Sequence, residues 1–114
     1  MNKEDLIKKC PLVFKNLSHI QCGNGWLYLL DKASFLIEKE IASLPEETRD
    51  EVYAVQLKEK FGSLRYYMNQ STPYIDGVIS MAESMSAITC EVCGNPGKLR
   101  QGGWIKTRCD EHST

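Results

Sequence analysis

The most informative stretch of the sequence is Thr89-Cys90-Glu91-Val92-Cys93-Gly94, together with the later Cys109-Asp110-Glu111-His112. Each segment carries two ligand-type side chains separated by two residues, and fifteen residues lie between the two pairs. Zinc prefers four tetrahedral sulfur or imidazole ligands, and a two-residue gap lets both side chains of a pair reach one ion from a tight turn. The spacing therefore predicts one zinc site with four ligands: Cys90, Cys93, Cys109 and His112.

The predicted zinc has a structural role rather than a catalytic one. Catalytic sites usually keep one coordination position open for water, whereas three cysteines and a histidine fill all four. Gly94 and Pro96-Gly97 predict turns, and segments 98–100 and 104–108 predict a short hairpin that returns the chain to the first ligand pair. This layout is typical of a zinc ribbon or a truncated treble clef. The plain alternative is four free side chains that bind no metal.

Hydrophobic periodicity predicts mainly helices in the first part of the chain. Residues 3–17 have mostly helical spacing, which Pro11 divides into one or two short helices. A tight glycine-rich loop follows, with Asn24 as a candidate N-cap. From Trp26 the apolar positions follow the pattern of an amphipathic helix that ends before Pro45. Its outer face carries charges that we expect to be solvated, namely Asp31, Lys32, Glu38 and Lys39.

Alternating apolar residues then predict a hairpin of two strands joined near Gly62. The inward positions are predicted to be Tyr53, Val55 and Leu57 on the first strand and Leu64, Tyr66 and Met68 on the second. Thr72-Pro73 predicts the cap and first turn of a second amphipathic helix, which leads to Cys90. We therefore expect an α+β fold: a small hairpin sheet packed by amphipathic helices over residues 1–88, then a zinc module over residues 89–114.

Composition narrows the class of protein. Hydrophobic residues make up 42% and charged residues 25% of the chain, and the formal net charge is −1. No overall field therefore draws the chain to nucleic acid. Apolar runs stay well short of the roughly 20 residues that a membrane span needs, and the first residues lack the apolar region of an export signal. We expect a cytoplasmic protein. Five cysteines are an odd number, and the Cys-x-x-Cys pair with a third cysteine and a histidine points to metal binding rather than to disulfides.

Basic residues of the two hairpins are candidate contacts for a partner or for nucleic acid. A three-residue turn at 101–103 would pair Arg100 with Trp104 and Lys98 with Lys106. One face would then collect Lys98, Arg100, Trp104, Lys106 and Arg108, with Leu99 and Ile105 on the other face. The plain alternative is a solvated strand edge with Trp104 packed against the zinc site. On the first hairpin, alternation sends Phe61 inward and leaves Lys60 and Arg65 for solvent or a partner.

Cys10, His19 and Cys22 form a second, weaker candidate group. His19 and Cys22 have ligand spacing, but the sequence offers no obvious fourth ligand. A Cys22 nucleophile activated by His19 would also need an orienting partner that the sequence does not supply. Buried free thiols and a surface or capping histidine are the favoured interpretation.

Three motifs in a fixed order carry a family resemblance. They are Cys22-Gly23-Asn24-Gly25-Trp26, the Lys60-Phe61-Gly62-Ser63-Leu64-Arg65 region, and the four predicted zinc ligands. In these motifs, which cover most of residues 20–112, the chain resembles a family of small bacterial and phage proteins with no established activity. For a phage-encoded chain, the resemblance implies a protein that acts in the host cytoplasm by binding, redirecting or blocking a host factor such as a defence protein.

The leading functional hypothesis is a small zinc-stabilised binding or adaptor protein with a protein partner and no enzymatic activity. It rests on the closed metal site and on the lack of a recognisable set of catalytic residues. One alternative is a nucleic-acid-binding zinc-ribbon protein that uses the basic hairpin face. The least favoured alternative is a treble-clef nuclease, because its second metal would need another histidine and only His19 remains.

Overall fold

The chain folds into an α+β arrangement of helices and two small antiparallel hairpins. The structure is a computed structural model that describes residues 1–113. Its elements, in chain order, are α1 (Lys3–Lys9), a 3-10 turn (Asn24–Trp26), α2 (Leu27–Ser43), α3 (Glu46–Arg49), β1 (Ala54–Lys60), β2 (Ser63–Met68), α4 (Pro73–Ser86), β3 (Lys98–Arg100), β4 (Lys106–Arg108) and a 3-10 turn (Asp110–His112). The predicted α+β class is confirmed, whereas a zinc-ribbon fold for the last part stays a prediction.

Helices α2 and α4 run in opposite directions. At one end, the Thr72 hydroxyl donates to the Glu40 carboxylate near the end of α2, at 3.0 Å. At the other end, the Trp26 indole just before α2 donates to the Thr89 carbonyl just after α4, at 2.9 Å. Among the described residues, none of the helices is long and apolar enough to cross a membrane.

The hydrophobic core lies between these helices, α1 and the first hairpin. Burial of each large apolar side chain contributes roughly 1.5–3 kcal/mol, so this cluster supplies the main stabilisation of the body. All of its members fall within residues 6–82. The largest fully buried apolar side chains are Leu6, Val13, Trp26, Leu30, Ile37, Ile41, Val52, Leu57, Leu64 and Ile75.

The first hairpin has an irregularity that the sequence pattern did not reveal. Strands β1 and β2 pair antiparallel, with Leu57 opposite Tyr66. A bulge between Ala54 and Gln56 interrupts the register, and the inward position predicted for Val55 is wrong because its side chain is exposed. Ala54 and Leu57 are the buried residues of β1.

The tip of this hairpin also differs from the prediction. Phe61 was expected to point inward, but it is 65% exposed. Phe61 and Gly62 close the turn with positive φ angles of 53° and 85°, so Phe61 belongs to the turn and not to the alternation of the strand. The Glu59 carboxylate accepts from the Gly62 amide at 2.8 Å. The turn therefore presents an aromatic ring to the solvent, with the Lys60 ammonium 5.7 Å from the ring centre.

Two acidic residues of α2 have structural roles, so the expectation that they are solvated is wrong. Asp31 is buried and accepts from the Lys9 ammonium at 2.8 Å. This bond raises the pKa of Lys9. The Glu38 carboxylate accepts from the backbone amides of Leu12 and Val13 at 2.9–3.1 Å. The two carboxylates thus connect the end of α1 and the segment that follows it to α2.

The helix boundaries follow the sequence signals only in part. Thr72 caps α4 by accepting from the Ile75 amide at 3.2 Å, and Pro73 occupies the first turn, as predicted. Helix α2 ends at Ser43, before Pro45, also as predicted. Asn24, however, is not an N-cap, because it begins the 3-10 turn and its side chain makes no cap bond.

Candidate metal centre and binding surfaces

The four predicted zinc ligands come together in the structure. The Cys93 and Cys109 sulfur atoms are 3.7 Å apart. His112 Nδ1 lies 3.1 Å from the Cys109 sulfur and 3.7 Å from the Cys90 sulfur. All four ligand atoms lie within 4.8 Å of one another, and none of the five cysteines forms a disulfide. The predicted four-residue grouping is therefore confirmed, and it could bind a metal ion.

The spacing of these atoms fits a tetrahedral ion. Zinc–sulfur bonds of about 2.3 Å and zinc–nitrogen bonds of about 2.0 Å place two sulfurs roughly 3.8 Å apart and a sulfur and a nitrogen roughly 3.5 Å apart. The three separations given above, 3.7 Å between Cys93 and Cys109, 3.1 Å between Cys109 and His112 and 3.7 Å between Cys90 and His112, lie near these values. Three sulfurs and one imidazole nitrogen also form a soft donor set, which favours zinc over magnesium or calcium.

Tight local turns position the ligands. Cys90 follows α4, its amide donates to the Asn95 carbonyl at 2.8 Å, and its carbonyl accepts from the Gly94 amide at 2.9 Å. Gly94 has a φ of +84°, which a residue with a side chain rarely adopts. Cys109 directly follows β4, and the His112 amide donates to the Cys109 carbonyl at 3.1 Å in the last 3-10 turn. Each ligand pair is thus held by its own short loop.

The environment of the sulfurs differs between the ligands. Burial opposes ionisation of Cys90, but backbone hydrogen bonds from Cys109, Cys93 and Val92 outweigh it and lower the pKa of the Cys90 thiol to about 6. For Cys93, a backbone hydrogen bond from Asn95 favours the thiolate, yet burial and the neighbouring sulfurs raise its pKa. Since metals bind the thiolate form, Cys90 is prepared for coordination.

The loop at residues 22–26 forms a seat for the metal centre, a role that sequence reasoning missed. The Gly25 amide donates to the Glu91 carbonyl at 2.7 Å. A Cβ atom at Gly25 would lie 2.2 Å from the Cys90 carbonyl oxygen, and one at Gly23 would lie 2.4 Å from the Glu91 carbonyl oxygen. The two glycines are therefore required by close backbone contact, which explains the Gly-x-Gly-Trp pattern physically.

Glu91 is the second element of this seat. Its carboxylate accepts from the Gly23 amide at 2.7 Å and from the Arg108 guanidinium at 3.1 Å. Its own amide donates to the Thr107 carbonyl at 3.1 Å. Glu91 thus joins the loop, the first ligand pair and β4. The only sequence signal for this role was a carboxylate placed between two cysteine ligands.

Part of the predicted basic face is neutralised. Strands β3 and β4 pair Arg100 with Lys106 and Lys98 with Arg108, so the pairing of Arg100 with Trp104 expected for a three-residue turn is wrong. The four cations still alternate with Leu99 and Thr107, and hence share one face. Arg100 bonds to Asp110 at 2.9 Å, which lowers the pKa of that carboxyl. Arg108 forms a salt bridge with Glu91. Of the four cations on this face, Lys98 and Lys106 therefore have no carboxylate partner among the described residues.

Trp104 lies outside the paired strands. It is 75% exposed, so the alternative in which it packs against the zinc site is wrong. Trp104 and Ile105 line a cavity of about 350 Å³ with Lys60 and Phe61 of the first hairpin. The exposed rings of Phe61 and Trp104 therefore line the same cavity between the two hairpins.

A larger cavity lies elsewhere, between α2 and α4, and has a volume of about 630 Å³. We call it the α2–α4 groove. Its walls are almost entirely apolar, and Lys32 is the only charged residue that lines it. Several large lining side chains remain exposed: Tyr28 (76%), Leu36 (39%), Tyr74 (49%), Met81 (64%) and Met85 (44%). Leu36 and Met85 occupy apolar positions in the helical periodicity of α2 and α4, yet their side chains are exposed.

The second candidate group does not form. Among residues 1–113, the four-residue cluster is the one group of Cys, His, Asp or Glu side chains close enough to share a metal ion. Cys10 and Cys22 are buried free thiols, and His19 is exposed. Burial raises the pKa of Cys10 to about 11 and that of Cys22 to about 12, so neither thiol is prepared for nucleophilic attack.

Comparisons with protein-family models, with curated proteins and with solved structures give no match for this chain.

Proposed function

We propose that this chain is a small zinc-stabilised binding protein that acts by docking another protein on its α2–α4 groove. The single observation that carries the proposal is the size and apolar character of that groove. Five of its large lining side chains stay exposed next to one another: Tyr28, Leu36, Tyr74, Met81 and Met85. Contiguous exposed apolar side chains of this kind often mark a binding surface.

The proposed metal is Zn²⁺ in a structural role. Three sulfurs and an imidazole nitrogen at tetrahedral separations support this assignment. The ion would hold the two ligand loops together and, through Cys90 and Glu91, fix the glycine seat at the start of α2. Elemental analysis of purified protein should find about one zinc per chain, and a Cys93→Ser variant should lose most of it. Metal-free protein of native stability would contradict the assignment.

The groove fits protein binding better than small-molecule catalysis. Its lining carries no aspartate, glutamate, histidine or cysteine, so the side chains most often used for general acid–base or nucleophilic catalysis are missing from it. For a phage-encoded chain, the family resemblance supports a host protein, such as a defence factor, as the partner.

Affinity purification from a bacterial lysate tests this proposal. We expect the metal-loaded chain to retain a partner at close to one-to-one stoichiometry, and a variant with a charge in the groove, Met81→Glu, to lose it. Recovery of no stoichiometric partner from the relevant host would contradict a binding function.

Nucleic-acid binding is a second candidate, and one observation favours it. The exposed rings of Phe61 and Trp104 line a common cavity with Lys60, and such rings can stack on bases. The cations of the basic hairpin face that have no carboxylate partner would add phosphate contacts. This candidate predicts a shift with single-stranded DNA or RNA that weakens as salt increases and is lost in Trp104→Ala. Absence of any shift at low salt would exclude it.

A further inference from the structure

We infer that the α2–α4 groove binds an amphipathic α-helix of the partner protein whose apolar face is flanked by acidic residues. The inference rests on the proposed binding function and specifies the chemistry of the partner. It follows from the juxtaposition of an apolar groove between two antiparallel helices with lysines that have no carboxylate partner along one rim.

The shape of the groove matches a third helix. Helices α2 and α4 have 17 and 14 residues, which correspond to about 25 Å and 21 Å of length. A helix laid between two antiparallel helices buries a stripe at positions i, i+3, i+4 and i+7. Gly77 lines the groove, and nothing lies within 4 Å of the position that its Cβ would occupy. The backbone of an incoming helix can therefore approach α4 closely at that point.

The charge along the rim of the groove indicates which residues should flank the apolar face of the partner helix. Lys32 lines the groove. Lys39 lies seven residues further along α2, which is about two turns along the same side of the helix. Neither lysine has a carboxylate partner within 4.0 Å among the described residues. Their ammonium groups instead lie 5.7 Å from the ring centre of Tyr28 and 5.5 Å from that of Phe35. A helix with glutamate or aspartate beside its apolar stripe would place carboxylates against these two lysines.

None of the nearby acidic residues forms an ion pair with these lysines among the described residues. Asp31 is bonded to Lys9. Glu40 accepts from the neutral Thr72 hydroxyl and keeps its charge, but its carboxylate lies more than 4.0 Å from both lysine ammonium groups. Asp76, on α4, lines a different cavity together with Tyr67 and other residues of β2.

The same charge pattern argues against a second copy of this chain as the occupant. Twofold pairing of the grooves would bring Lys32 of each copy to one interface. The groove lining offers no carboxylate to either copy. Like charges brought together in an interface disfavour association, so an acidic partner helix is the better occupant.

Synthetic helical peptides test the inference directly on the metal-loaded full chain. One peptide of about 18 residues, long enough to span the groove, carries leucines at i, i+3, i+4 and i+7 with flanking glutamates. A matched peptide carries lysines at the flanking positions. Fluorescence anisotropy should show saturable binding of the glutamate peptide, with at least tenfold weaker binding of the lysine peptide, a difference of about 1.4 kcal/mol.

Two sets of variants locate the site. Met81→Glu should weaken binding of the glutamate peptide at least tenfold, whereas Val55→Glu adds the same charge at an exposed residue of β1 and should leave binding unchanged. The double change Lys32→Glu and Lys39→Glu should reverse the preference, so that the lysine peptide binds more tightly. All of these positions are exposed, and circular dichroism confirms that the variants fold.

Several outcomes would overturn the inference: no saturable binding of the glutamate peptide, equal binding by Met81→Glu, or an unchanged preference in the lysine double variant. A concentration-dependent dimer that Met81→Glu dissolves would identify a second copy as the occupant and also overturn it. These failures differ from failure of the proposed function. A partner that wild type retains from lysate and Met81→Glu loses would leave the proposed groove function intact even if the two peptides bind equally, whereas recovery of no partner, or equal retention by Met81→Glu, would reject that function itself.

Discussion

Substitution of Gly25 by alanine should separate the metal centre from the body of the protein. The new Cβ would lie 2.2 Å from the Cys90 carbonyl oxygen and 2.6 Å from the Glu91 carbonyl oxygen, both of them backbone atoms. Such atoms cannot move aside without displacing the first ligand pair. Since Gly25 does not have a positive φ, the expected effect is steric and not conformational.

The magnitude follows from the contacts that the displacement would break. They are the bonds from the Gly25 amide to the Glu91 carbonyl (2.7 Å), from the Gly23 amide to the Glu91 carboxylate (2.7 Å) and from the Trp26 indole to the Thr89 carbonyl (2.9 Å). At about 1 kcal/mol each, their loss costs about 3 kcal/mol. If the loop stays in place instead, the overpacking strain is of similar size, about 1–3 kcal/mol.

Urea denaturation of the zinc-loaded protein measures this effect. A loss of about 3 kcal/mol should lower the unfolding midpoint by roughly 2 M, for a slope of about 1.5 kcal/mol per molar. Gly77→Ala is the matched control, because its Cβ would meet nothing within 4 Å on an exposed helix. That variant should gain up to about 1 kcal/mol from helix propensity. If Gly25→Ala is as stable as the wild type, the proposed close contact is refuted.

Three further predictions concern the metal, the α2 carboxylate and the thiols. Chelation of the metal should lower the midpoint of thermal unfolding of the wild type. Cys93→Ser should show that lower midpoint even without chelator. Identical midpoints for wild-type protein with and without chelator would contradict a structural metal. Glu38→Ala should cost about 2 kcal/mol in urea denaturation, because two backbone amides lose their acceptor, whereas the exposed Glu46→Ala should change stability by less than about 0.5 kcal/mol. When the folded protein is treated with chelator and alkylated near neutral pH, mass spectrometry should find the three ligand thiols modified first. Burial raises the pKa of Cys10 to about 11 and that of Cys22 to about 12, so these two thiols should react later. Early modification of either would show that the body opens when the metal is lost.

This last measurement also bears on the division of the chain. The separation into a body over residues 1–88 and a metal module over residues 89–114 stays a prediction, and Thr114 lies outside the described residues. The core cluster contains only residues from the body. The glycine seat, however, joins the two parts through Glu91. If Cys10 and Cys22 stay protected from alkylation after chelation, the body keeps its fold without the bound metal.

The sequence by itself determined the features that depend on neighbouring residues. The four ligands were predicted from two-residue gaps, because a tight turn alone brings such a pair to one ion. Helix α4 was predicted from its threonine cap and first-turn proline, which act within one helical turn. Helix α2, which has 17 residues, followed from a periodic apolar pattern that begins at Trp26, although the pattern did not show which part of the apolar face stays exposed.

Only the tertiary structure decided the features that depend on distant partners. Glu91 contacts Gly23, 68 residues earlier, and Glu38 binds amides about 25 residues away. Local sequence patterns predict that a carboxylate is solvated, because they do not show which backbone amides the fold places next to it. The bulge in β1, the register of β3 and β4 and the open α2–α4 groove likewise depend on packing between elements. Periodicity reports only which residues share a face and carries no information about what the rest of the chain places against it.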